Sequence, residues 1–150
     1  MLSISVTNQC ESIRADKSLM RRAAETVLKG EGIAAAKISL AFVDDATSER
    51  LNKQFLDHEG PTDILTFPMG SKPLQGELVI GAEVGQRVAQ EKEHDPQYEF
   101  ALYVIHGLLH LCGYDDKKSE PLREMRQQEA HYLKLLGLSA ISEPCPPKKH

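Results

Sequence analysis

Residues 95–116 read DPQYEFALYVIHGLLHLCGYDD, and this stretch decides what kind of domain the chain can form. Asp95-Pro96 opens a helix, because proline is preset for a first helical turn and its missing N–H costs nothing there. Tyr98, Leu102, Ile105 and Leu109 then recur at helical spacing. Gly113 supplies a natural stop, since glycine accepts the left-handed conformation that ends many helices. Val104, Leu108 and Leu111 add apolar surface on further faces, so the helix is predicted to lie in the core. Two histidines sit within it. His106 and His110 are one helical turn apart, roughly 6 Å in rise, and therefore share a face.

Imidazoles in a buried helix need polar partners. One cation can serve both, and zinc takes such nitrogens at about 2.0–2.1 Å. A catalytic zinc needs a third protein ligand and one open position. Beyond Gly113 the chain can reverse and bring Asp115 or Asp116 back toward the histidines. The predicted ligand set is His106, His110 and Asp116, holding one Zn²⁺ or another divalent ion per chain. Asp115 is left to orient a ligand or the loop. Cys112 is a soft ligand of lesser claim. The competing reading is a pair of core histidines with no metal. Zincin peptidases carry a glutamate base directly after the first histidine of their motif. Here that position is Gly107, so the metal-site helix is metzincin-like without the protease base.

Working outward, Ile4 to Thr7 reads as a strand, and Asp16 to Lys29 as a helix stopped by Gly30. Lys37 to Asp44 is a strand with Ile38, Leu40 and Phe42 on one face. Asp45 to Phe55 is a helix broken by Gly60-Pro61. A strand from Asp63 to Phe67 is expected to close at Pro68, with Met69 to Gln75 as a loop and Gly76 to Gly81 as another strand. Glu83 to Lys92 and Ser119 to Leu136 read as helices, the latter ending at Gly137. About four strands and about five helices in mixed order predict an α+β domain with a small mixed sheet. Residues 1–137 form one domain in this reading, and 138–150, with Pro144, Pro146 and Pro147, form a tail.

Composition narrows the class. The chain has 150 residues, 41% apolar and 27% charged, with a net charge of −4. No apolar run approaches the roughly 18 residues that span a bilayer, so no membrane association is expected. The N-terminus has no basic region followed by an apolar one, so no signal peptide is read. Three cysteines without a CxxC pair fit a reducing compartment, and a cytoplasmic location. The acidic balance does not favour a broad nucleic-acid surface. Any basic groove must be local, with Arg21-Arg22 and Lys117-Lys118 as candidates.

With these motifs in view, HGLLHLCGYDD resembles the hallmark HGxLHLxGYDH of the YbeY family of bacterial endoribonucleases. Leu51-Asn52 followed by PTDILTFP (residues 61–68) is similar to the family's LN…PTDVLSFP, and GELVI (76–80) to its GDLVI strand. The resemblance runs from about residue 35 to about residue 137. It implies a single α+β domain with zinc on three histidines. It implies a single-strand-specific endoribonuclease that matures ribosomal RNA, including the 3′ end of the small-subunit RNA, and serves ribosome quality control. Single-stranded RNA, rRNA and the ribosome or a ribosome-associated protein are the implied partners; DNA is not. The third family ligand is the last histidine, which here is Asp116; His131 or His58 are the alternatives should Asp116 not reach. An arginine common in the family after its LN segment is replaced by Leu56, leaving His58 as the nearest basic group and the candidate for phosphate contact. A non-catalytic ribosome-assembly factor with a structural metal, and a metallopeptidase, are the competing functions.

Overall fold

The computed structural model describes residues 1–114 and 118–138. In chain order the elements are β1 (Leu2–Asn8), α1 (Lys17–Gly30), β2 (Ala36–Val43), α2 (Asp45–Leu56), β3 (Ile64–Ser71), β4 (Leu74–Gly81), α3 (Ala82–Lys92), α4 (Pro96–Leu111) and α5 (Ser119–Leu135). The strands form one sheet in the order β1-β2-β4-β3. β1 pairs parallel to β2, and β2 parallel to β4, while β3 runs antiparallel along the outer edge of β4. The α+β class and mixed sheet expected from the sequence are therefore present.

Alternation along the strands sends side chains to both faces. Ile38, Leu40 and Phe42 of β2, with Leu78 and Ile80 of β4, face the main core beneath α1 and α4. Phe42 meets Phe100 of α4 edge-on, with ring centroids 5.4 Å apart. Ala41, Val43 and Val79 face the other way and pack with Leu65 beneath Leu51 and Phe67. The end of β2 is thus buried on both sides, as an internal parallel strand requires.

The starts of α1, α2 and α4 follow the carboxylates that precede them. Asp16, Asp44 and Asp95 each accept a backbone N–H from the first turn of α1, α2 and α4. Asp44 is held below the usual carboxylate range by the backbone N–H of Thr47. Glu83 accepts from the backbone N–H of Asp45, and Arg87 grips the Asp45 carboxylate at 2.8 and 3.2 Å, so α3 and α2 are tied side by side.

Two expectations need correction. β3 does not close at Pro68: it continues to Ser71, with an irregularity between Pro68 and Gly70. Proline is tolerated because β3 is an edge strand and loses no inner ladder bond. Residues 69–75 are accordingly not a loop; the hairpin turns tightly at Lys72-Pro73, a cis peptide, and β4 starts at Leu74. Gly30 ends α1 as expected, as its last helical residue, and Gly32 beyond it takes the positive φ of 78°. Gly30 is needed for a different reason: a Cβ there would collide with the Tyr132 ring of α5. Residues 139–150, expected as a tail, lie outside the described residues. Among the described residues no helix is long and apolar enough to cross a membrane.

Candidate metal centre

α4 touches α1, α3, α5, β3 and β4 and is the element around which the rest is arranged. At Gly107 it lies close against the sheet. A Cβ there would come within 2.6 Å of both Ile64 Cδ1 and Leu78 Cδ2. The position after the first histidine thus faces packed sheet, and any side chain there must displace Ile64 and Leu78. A glutamate base of the zincin type is absent from the sequence and would be crowded at this position.

His106 and His110 lie on the half-buried side of α4, next to α5. Their Nε2 atoms face each other at 3.1 Å, with ring planes 79° apart. Two ligands at about 2.05 Å in a tetrahedral shell stand roughly 3.3 Å apart. The histidine pair therefore fits a zinc ion with only small adjustment. A proton on one Nε2 can bridge the pair in its absence.

The Nδ1 side of His106 is equally defined. It lies 2.6 Å from Oε2 of Glu129 on α5. Arg126, one turn earlier on α5, donates from Nη1 to the other oxygen at 2.8 Å. Burial alone would push the Glu129 carboxyl up, but hydrogen bonds from His106 and Arg126 outweigh it and hold Glu129 below its ordinary value. An ionised carboxylate accepts only, so Nδ1 is the donor. Sequence reasoning missed Glu129. Its signal was present: Met125, Glu129, Tyr132 and Leu133 form one stripe of α5, and all are buried. A carboxylate inside an apolar stripe needs a partner on the facing helix.

The other expected site residues fall as follows. Asp115 and Asp116 lie outside the described residues. Among the described residues no group of three His, Cys, Asp or Glu side chains converges as a metal site. His58 and His131 are both exposed. His58 follows Asp57, whose left-handed φ of 54° ends α2 ahead of the expected Gly60-Pro61. Leu56 is half exposed at the same helix end. Burial and the nearby Glu31 push the Cys112 thiol up to about 11. Thr62 and Asp63 shape the start of β3. The Thr62 N–H donates to Ser48 Oγ at 2.8 Å, Ser48 Oγ donates back to the Thr62 carbonyl, and the Asp63 carbonyl accepts from Gly81 N–H.

A mixed four-stranded sheet with an imidazole pair on a central helix defines a small α+β domain of the kind that can hold a metal. Its relatives narrow that class. The family model described as Endoribonuclease YbeY matches residues 5–137. An Endoribonuclease YbeY of Chlorobium luteolum is 38% identical over 82% of this chain and 90% of its own length. That of Pelotomaculum thermopropionicum is 37% identical over 92% of this chain and 99% of its own. The solution structure of TM1509 from Thermotoga maritima superposes with a TM-score of 0.65 at 25% identity, covering 99% of this chain and all of that one. The chain belongs to the YbeY endoribonuclease family.

Proposed function

We propose that the protein is a metal-dependent endoribonuclease that cleaves single-stranded RNA, with one zinc ion held by His106, His110 and Asp116. The observation that carries this reading is the pair of Nε2 atoms facing each other at 3.1 Å in a chain that belongs to an endoribonuclease family. When bound, zinc supplies Lewis-acid polarisation of a phosphoryl oxygen.

The protein's own groups do the rest. The α4 histidines hold their Nε2 atoms toward a common point, with His106 fixed by Glu129. His58, on the exposed segment after α2, is the candidate basic contact to phosphate. Gly107 keeps α4 seated on β3 and β4, which sets the height of the histidines over the sheet. The substrate assigned is ribosomal RNA, including the 3′ end of the small-subunit RNA, reached with the ribosome or a ribosome-bound protein in the cytoplasm. Recruitment by a partner suits a chain whose net charge of −4 gives little long-range attraction to RNA.

The test is incubation of metal-loaded protein with single-stranded RNA, duplex RNA and casein, with and without chelator, beside His106→Ala. Internal cleavage of single-stranded RNA alone, lost with chelator and in His106→Ala, is expected. Intact RNA with the metal-loaded wild type would move the protein to a non-catalytic assembly role. Cleaved casein would make it a peptidase.

A further inference from the structure

We infer that Glu129 is a positioning residue for the metal pair: it fixes His106 with the proton on Nδ1 and the Nε2 lone pair turned toward His110. The inference deepens the metal reading above and rests on it. Three observations carry it. The contact between Glu129 Oε2 and His106 Nδ1 is 2.6 Å, in the short range of charge-assisted bonds. Glu129 is only 4% exposed, so water does not compete for its oxygens. Its second oxygen is occupied by Arg126 Nη1 at 2.8 Å, which stops the carboxylate from turning away.

Among the described residues, Arg126 Nε and Nη2 are buried with no hydrogen-bond partner, a cost that an apolar filling between α4 and α5 would avoid. What an apolar filling could not do is choose a tautomer. A neutral imidazole carries one N–H, and the side on which it sits decides whether Nε2 can be a ligand. A carboxylate behind a ligand histidine makes that choice and raises the basicity of the nitrogen facing the metal. Glu129 stands behind His106 in that relation, 23 residues away along the chain and on another helix.

The test uses the full chain, and its first readout needs no metal. Nitrogen-15 NMR of histidine side chains in metal-free protein reports which ring nitrogen of His106 bears the proton. Competition with a chromophoric chelator then gives the zinc dissociation constant. Wild type is expected to show the Nδ1–H form. Glu129→Ala should lose that preference and bind zinc about 10–100-fold more weakly. Glu129→Gln, which keeps an acceptor of the same shape, should keep the Nδ1–H form and weaken zinc less. A folded Glu129→Ala with the wild-type tautomer and zinc affinity overturns the inference. Should the alanine variant not fold, zinc affinity in Glu129→Gln equal to wild type overturns it. A merely structural Glu129 would lower the melting temperature of both variants without moving the tautomer. Wild type that keeps the Nδ1–H form but takes up no zinc would sink the metal reading, while leaving the tautomer assignment standing.

Discussion

At the scale of single residues, a glycine and a glutamate decide what the α4 histidines can do. Gly107 touches Ile64 and Leu78 so closely that any side chain must displace them. Gly107→Glu is expected to cost at least about 1–3 kcal/mol from overpacking alone, read as a lower urea midpoint, and to gain no casein cleavage. Glu129 makes acid stability diagnostic. Its folded pKa lies below its ordinary value of 4.5, so the unfolded chain takes up a proton first as pH falls. The stability it contributes is full above about pH 4.5 and is lost as pH drops through the depressed folded value. Glu129→Gln should therefore show a flatter acid limb in urea melts run from neutral to acid pH; an unchanged limb would remove the ion pair from the account. The histidine pair was legible because its partners lie one turn apart on one helix. Glu129 showed only as a carboxylate inside the apolar stripe of α5; its partner was not legible, because it lies on a different helix and only packing of α5 on α4 brings the two together.

Among elements, the segment between α2 and β3 shows why the LN…PTD pattern has the residues it has. Asn52 is buried on α2 and donates from Nδ2 to the Gly60 carbonyl at 3.0 Å, while Ser48 bonds both the N–H and the carbonyl of Thr62. These two side chains hold residues 57–62 against α2 and set where β3 begins. Asn52→Ala leaves a carbonyl without its donor and is expected to cost about 1–3 kcal/mol. Limited proteolysis should then cut between residues 57 and 62 sooner than in wild type, and unchanged cutting would contradict that role. Helices were legible here because aspartates cap them and apolar residues recur at the right period. The β3–β4 hairpin was not, because Pro68, Gly70 and Pro73 carry turn chemistry. An edge strand absorbs a proline that an inner strand would reject.

For the whole molecule, the order β1-β2-β4-β3 puts the antiparallel strand at the edge and α4 across β3 and β4. Mixed class was readable from the alternation of strand and helix patterns, but strand order was not, since nothing local distinguishes an inner partner from an outer one. Burial of β2 on both faces was likewise only half visible: Ile38, Leu40 and Phe42 declared one face, whereas Ala41 and Val43 are covered by Leu51 and Phe67 from outside the strand. A metal joining α4 to the chain beyond Gly113 should stabilise the entire fold. Zinc at a hundredfold excess over its dissociation constant adds about 2.7 kcal/mol, or roughly 5–10 °C in Tm for a chain of this length. Calorimetry with and without zinc checks this, and the rise should vanish in His110→Ala.

Native mass spectrometry of the purified chain bears most directly on the paired imidazoles. The expected result is one zinc ion per wild-type chain, with none retained by folded His106→Ala or His110→Ala. Wild type that takes up no metal when zinc is supplied, or variants that keep it in full, would contradict the account.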